Sequence, residues 1–109
     1  MFAMTPAPPY VAVIFTNTRT GVDDEGYAAM AARMDALAAE QDGYLGIESM
    51  RGTDGLSCTI SYWRDEAAAS AWKQDAEHLG AQRLGREKWY QSFKLRVATV
   101  TRDYGFERG

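Results

Sequence analysis

The chain has 109 residues, of which 46% are hydrophobic and 25% charged, and its formal net charge is −3. This length suits one domain, and the composition is that of a globular protein rather than a disordered one. The acidic charge without a run of Lys or Arg argues against nucleic acid, and no apolar stretch approaches the roughly 20 residues that span a bilayer, so we expect no membrane partner.

The two ends of the chain are predicted to lie outside the domain. All three prolines fall within residues 1–9, which predicts an extended N-terminal arm before a domain at residues 10–102 and a polar tail at 103–109. The arm lacks the basic start and apolar run of a signal peptide. Cys58 is the only cysteine, which excludes an internal disulfide and favours a cytoplasmic location.

The first predicted element is a strand at residues 10–18, rich in β-branched and aromatic residues. Side chains alternate along a strand, so Val11, Val13, Phe15 and Asn17 share one face. This apolar row ends in a polar amide, an arrangement that suits a ligand pocket with one polar anchor.

Helical spacing of apolar residues follows at about 23–41, where Tyr27, Met30, Met34 and Leu37 recur. Residues 44–51 and 56–63 then predict two strands of a hairpin, because Gly52 to Gly55 has turn chemistry. Neither strand alternates cleanly between apolar and polar residues. We therefore expect both faces of the sheet to be covered, one by helices and one by a partner.

Asp65 is predicted to cap a second helix from Glu66 to about Leu84, with a break near Gln74 or Asp75 and an end at Gly85. The last strand is expected at 88–102. The order β-α-β-β-α-β is the split βαβ, or ferredoxin-like, motif. The predicted fold class is therefore α+β with an antiparallel sheet.

Three segments carry a family resemblance: GYLGIESMR at 43–51, SYWRDEAAASAW at 61–72 and EHLGAQRLGREKWY at 77–90. In this order and spacing they resemble the antibiotic-biosynthesis-monooxygenase domain family, over roughly residues 10 to 101. The resemblance implies a dimeric α+β barrel, in which two sheets pack face to face, with a pocket between sheet and helices in each subunit. Some members of that family oxidise aromatic polyketides to quinones without a cofactor, and others bind and degrade haem.

The haem-degrading branch uses an Asn on the first strand, a Trp on the second long helix and a downstream His that ligates iron. Asn17 and Trp72 match the first two, but Gln82 stands ten residues after the Trp, where the His would fall. His78 lies one helical turn earlier and would share a face with Gln82 in a continuous helix.

The candidate catalytic residues are Asn17, Trp72 and His78. His78 is the only histidine, and its ordinary pKa suits proton transfer at neutral pH; the alternative is a surface or capping His. Asn17 is a hydrogen-bond donor to an oxyanion or a strand-end Asn that satisfies the backbone. Trp72 is a pocket wall or a core residue.

The candidate substrate-binding residues are Val13, Phe15, Trp63 and Gln82, and no metal site is expected. Arg51 and Arg96 lie in predicted strands, and ion pairs with Glu48 at a subunit interface are the preferred explanation for these charges.

The predicted function is a cofactor-independent monooxygenase that acts on a small aromatic or quinol-like molecule, as a homodimer. Haem binding or degradation is the first alternative, with haem as the cofactor. The second is a non-catalytic dimeric module that binds a small molecule. An open cavity into which Asn17 and His78 both point would favour the enzyme.

Overall fold

The computed structural model describes residues 2–78 and 80–109, without the side chains of Glu77, His78, Ala81 and Gln82. Its elements follow in chain order: β1 (Tyr10–Arg19), α1 (Asp24–Ala39), β2 (Tyr44–Arg51), β3 (Leu56–Trp63), α2 (Glu66–His78), α3 (Ala81–Leu84), a π-helical turn (Gly85–Trp89) and β4 (Tyr90–Val100). The four strands form one antiparallel sheet in the order β2-β3-β1-β4. The predicted ferredoxin-like α+β class is confirmed.

Aspartates begin both long helices, as acceptors for backbone N–H groups that have no partner within the helix. The Asp23 carboxylate accepts from the Gly26 amide at 3.1 Å, ahead of α1. The Asp65 carboxylate accepts from the Ala68 amide at 2.8 Å, ahead of α2, as predicted. In this part of the chain the sequence determines where each helix starts.

The segment between α2 and β4 differs from its prediction. No break occurs at Gln74 or Asp75, because α2 continues to His78, and Gly80 then turns the chain with φ +74° before α3. Gly85 does not end the helical segment but starts the π-helical turn, so β4 begins at Tyr90 instead of residue 88. The Trp89 side chain at the end of this turn is buried.

Both long helices lie on one face of the sheet, here called the inner face. It carries Val11, Val13, Phe15 and Asn17 of β1 together with their directly paired neighbours on β3 and β4. The buried core lies at one end of this face, and its members are Val11, Ala38, Trp63, Ala68 and Ala69.

The opposite, outer face carries Ile14, Thr16, Cys58 and Ile60, and no helix of the described residues packs on it. A β-bulge at Leu45 explains why β2 did not alternate cleanly in the sequence. Tyr44 pairs with Trp63 but Gly46 pairs with Tyr62, so the extra residue reverses the alternation along β2.

The bulge changes which residues of β2 share a face of the sheet. After it, Ile47 faces inward with Tyr44, while Glu48 and Met50 face outward. Arg51 lies three positions after Glu48 and therefore on the other face of the strand. Arg51 and Glu48 thus do not share a face of the sheet, whereas Arg96 shares the outer face with Glu48. The ion pairs at a subunit interface stay a prediction.

The N-terminal arm lies over the β2 side of the outer face. The Ala3 amide donates to Glu48 Oε2 at 2.9 Å, and the Thr5 hydroxyl donates to the Tyr10 hydroxyl at 3.2 Å. Gly46 has φ +151°, and a Cβ there would lie 2.6 Å from the Ala3 Cβ. Glycine at 46 therefore allows the arm to approach the strand. Within the residues described, no helix is long and apolar enough to cross a membrane.

Candidate functional site

A cavity of about 370 Å³ lies between the helices and the inner face of the sheet. Its aliphatic and thioether lining comes from β1, α1, β2 and β4, which is why no single segment of sequence shows it. These side chains are Val13, Met30, Met34, Ile47, Leu95 and Val97. The volume suits a small organic ligand, and mostly apolar walls with few polar groups are typical of such sites.

One end of the cavity, here called the aromatic end, is formed by Phe15, Tyr27, Trp89 and Tyr90. Their rings pack edge to face: Phe15 and Tyr90 lie 5.3 Å apart between centroids, Tyr27 and Tyr90 5.9 Å, and Tyr27 and Trp89 5.9 Å. Such edge-to-face contacts fix ring orientation as well as burying area. The aromatic end is therefore a preformed wall for a flat ligand.

Polar side chains gather where the cavity reaches the surface. Asp35 of α1 and Glu66, Ser70 and Lys73 of α2 line it there and are exposed. Asp35 is two helical turns from Tyr27, which places it about 12 Å away along the helix axis. Partial burial raises the pKa of the Asp35 carboxyl, against a smaller lowering by Arg51.

Asn17 is buried, with 2% of its surface exposed, but it is not among the described side chains that line the cavity. Its Oδ1 accepts a hydrogen bond from the Ser57 hydroxyl at 3.0 Å, across the β1–β3 pair. Its Nδ2 has no hydrogen-bond partner among the described residues. A buried donor without a partner is costly, so the amide remains a candidate for a ligand contact.

The two predicted tryptophans occupy different environments. Trp72 lines the cavity, and its ring stacks on Trp63 with centroids 6.0 Å apart and planes 22° apart. Trp63 is fully buried, its Nε1 donates to the Ser61 hydroxyl at 2.9 Å, and its side chain is not part of the described lining. Trp63 thus supports the wall that Trp72 presents. Val13 and Phe15 line the cavity directly.

The side chains of His78 and Gln82 lie outside the described residues, so their predicted roles remain predictions. The backbone places them in separate helices, α2 and α3, and the continuous helix that would have aligned them is absent from this segment. Haem iron in proteins is held by His, Cys, Met or Tyr. Glutamine at 82 does not fit that ligand set.

The sequence profile described as Antibiotic biosynthesis monooxygenase matches residues 9–84. A protein of Bacillus subtilis called YqjZ, itself uncharacterised, is 46% identical over 103 residues, which is 94% of this chain and 90% of that protein. The chain belongs to the antibiotic biosynthesis monooxygenase family.

Within this family, the jasmonate monooxygenase of Pyricularia oryzae is 32% identical over 94 residues, which is 83% of this chain but only 43% of that enzyme. Among solved structures, SnoaB of Streptomyces nogalater, a cofactor-independent oxygenase, superposes with a TM-score of 0.73 at 20% identity. The match covers 86% of this chain and 95% of SnoaB. At that identity the likeness to SnoaB shows the fold alone.

Sequence reasoning missed several residues that line the cavity. Tyr27 and Met34 were assigned to the apolar face of a helix, and Tyr90 was not among the candidate site residues. The one available signal was a tyrosine within an otherwise aliphatic helical stripe, because a hydroxyl there needs a polar partner or a ligand. The meeting of Tyr27 with Tyr90, 63 positions later, depends on the fold.

Proposed function

We propose that this member of the family is a cofactor-independent monooxygenase that acts on a small phenolic or quinol-like molecule. The observation that carries the proposal is the cavity itself, whose apolar walls and aromatic end suit a flat ring. Membership of a family described by monooxygenase chemistry supports the reaction class.

The chemistry balances without a cofactor, because an electron-rich ring supplies the electrons. A phenol with a hydrogen at a ring position ortho or para to its hydroxyl reacts with O₂ to give a quinone and water, so one oxygen atom enters the product and the other leaves as water. The protein orients the ring, helps to remove the phenolic proton and stabilises the resulting anion. His78 is assigned as proton acceptor and Asn17 as hydrogen-bond donor, with Trp72 as a wall.

Oxygen uptake by the purified, chelator-treated protein with a panel of phenols and quinols tests the proposal. The expected result is uptake that depends on substrate and incorporates one isotopically labelled oxygen atom into the product. Trp72→Ala should lower kcat/KM, whereas Val22→Ala, at an exposed loop position, should leave it unchanged. Saturable ligand binding without oxygen uptake would contradict the enzyme and favour the non-catalytic module.

The assignment of His78 and Asn17 has its own test. Each of His78→Ala and Asn17→Ala should lower kcat by about 100-fold, the usual size of a general-base or oxyanion contribution. Undiminished turnover in the double variant would overturn both roles without affecting the reaction class.

We further propose that the protein is a cytoplasmic homodimer in which the outer faces of two sheets meet. Met50 and Leu56 on this face are 52% and 50% exposed in the single chain. Ile60 of β3 and Ile14 of β1 pair with each other on the same face, and Ile14 in turn pairs with Arg96 of β4. Contact between two such faces would remove this apolar surface from water. Light scattering after size-exclusion chromatography should give the dimer mass, and a monomer at micromolar concentration would contradict the proposal.

A further inference from the structure

Two tyrosines that the sequence did not assign to the site line the aromatic end of the cavity. Tyr27 comes from α1 and Tyr90 from the first position of β4, and both line the cavity. Asn17, the polar anchor expected from the sequence, is not part of that lining. The hydrogen-bond donors among the side chains that form this end are therefore the hydroxyls of Tyr27 and Tyr90 and the Nε1 of Trp89.

Tyr90 is held rigidly. Its ring packs against Phe15 at 5.3 Å and Phe93 at 5.7 Å between centroids. Gly85 passes so close that a Cβ there would lie 2.5 Å from the Tyr90 ring. Burial raises the pKa of the Tyr90 hydroxyl well above its usual value, and the neighbouring Tyr27 adds to this effect. Tyr90 therefore stays protonated at neutral pH and remains a donor.

A positive charge lies behind the tyrosine pair. The Arg19 guanidinium carbon is 4.8 Å from the centroid of the Tyr27 ring. The charge of Arg19 also partly opposes the rise in the pKa of Tyr90 that burial causes. Its ion pair with Asp24 is long, at 3.9 Å, and Asp24 is largely exposed. The buried Nε of Arg19 has no hydrogen-bond partner in the described part of the chain. The charge of Arg19 is thus only partly compensated, and it favours an anion nearby.

We propose that Tyr90 and Tyr27 donate hydrogen bonds to the phenolic oxygen of the substrate, and that Arg19 acts through them to favour the phenolate form. The phenol passes its proton to His78, the acceptor assigned under the proposed function, which releases it to water. The phenolate oxygen then lies at the aromatic end, away from the carboxylates of Asp35 and Glu66. The inference rests on the proposed function for its substrate class. Tyr90 and Tyr27 touch the substrate, and Arg19 is a positioning residue.

The test uses 4-nitrophenol, whose phenol and phenolate forms differ in colour, so that the pKa of the bound ligand is read by absorbance. The wild-type protein should lower this pKa relative to free 4-nitrophenol. Tyr90→Phe and Tyr27→Phe should each return it toward the free value by about one unit, which corresponds to about a tenfold loss of phenolate affinity. Thermal unfolding of each variant checks that the fold is retained.

Tyr44→Phe is the matched control, because Tyr44 packs on Trp63 at 5.6 Å and its side chain is not part of the described cavity lining. It should leave the pKa of bound 4-nitrophenol unchanged. Arg19→Gln should raise that pKa, and Arg19→Lys, which keeps the charge, should restore most of the wild-type value. A role of Arg19 in packing alone would give no difference between these two variants.

Three results would overturn the inference: no binding of 4-nitrophenol, equal pKa values for wild type and both cavity tyrosine variants, or an equal shift in Tyr44→Phe. The results that would contradict the proposed function are different ones. A tyrosine-dependent pKa shift without oxygen uptake from any phenol would overturn the monooxygenase and support the binding site. Oxygen uptake that is unaffected by Tyr90→Phe and Tyr27→Phe would overturn the site and leave the monooxygenase standing.

Discussion

The inner and outer faces of the four-stranded sheet have different surroundings. On the inner face, two helices, an aromatic cluster and a fully buried Trp63 enclose a cavity. On the outer face, Ile14, Thr16, Cys58 and Ile60 are only partly covered, and the N-terminal arm lies over the β2 side alone. The two faces come from alternate residues of the same strands, so segment composition cannot tell them apart.

The comparison shows that the extent to which a face is buried within one chain does not determine what that face can bind. The inner face is filled by large rings that fix each other, and its remaining space suits a small ligand. The outer face presents medium-sized apolar residues beside Lys94 and Arg96 of β4, which suits a second protein surface. Variants that affect one face and not the other test this division.

The largest effect on stability is expected at Trp63. Trp63→Ala removes a fully buried indole that stacks on Trp72 and donates to Ser61, and should lower the free energy of unfolding by about 3–5 kcal/mol. Trp72→Ala should cost less, because that side chain is only half-buried. Urea denaturation of both variants measures the difference, with Val22→Ala at an exposed loop position as the control. A larger loss of stability in Trp72→Ala than in Trp63→Ala would contradict the interpretation that Trp63 supports the cavity wall formed by Trp72.

The outer face should control assembly. Ile14→Glu introduces a carboxylate directly opposite Arg96 within the chain, so the monomer can accommodate it, but removing this charged carboxylate from water in a dimer contact costs about 3 kcal/mol. We expect the dimer to weaken by about 100-fold, measured by analytical ultracentrifugation. Val22→Glu, at an exposed loop position, is the control and should leave the dimer intact. Equal behaviour of the two variants would mean that the outer face is not the contact.

The tyrosines should make the protein less stable at high pH. Burial and the hydrogen bond to Glu48 raise the pKa of Tyr62 to about 12, from an ordinary value of 10.0. The unfolded chain therefore loses the Tyr62 proton first, so this contribution is complete below pH 10 and falls as the pH rises toward 12. Unfolding midpoints measured across this range should decline less steeply in Tyr62→Phe. An unchanged slope would show that Tyr62 titrates normally in the folded protein.

The smallest effect is expected at the start of α2. Asp65→Ala removes the acceptor of the Ala68 amide and should lower the free energy of unfolding by about 1 kcal/mol, whereas Asp65→Asn should retain most of the stability because Asn is an equally good cap. Thermal denaturation of the pair gives the comparison. Equal losses in the two variants would mean that the negative charge, beside Arg64, matters more than the cap.

Part of the site could be read from the sequence. Period-two alternation put Val13 and Phe15 on one face of β1, and both line the cavity. The same pattern placed Asn17 on that face, but it could not show that the amide would pair with Ser57 on the next strand. Tyr90 was beyond such reasoning, because a register shift between Thr18 and Arg19 pairs Tyr90 with Arg19 and reverses the alternation along β4, which periodicity does not predict.

The sequence by itself determined the order of strands and helices, the capped starts of both long helices and the family, because these depend on local propensity, hydrogen-bonding side chains and motif spacing. Only the tertiary structure decided which rings enclose the cavity, which residue the Leu45 bulge turns outward and where Arg19 meets Tyr27. Those features depend on contacts between residues far apart in the chain, which form only once the sheet register and the helix positions are fixed.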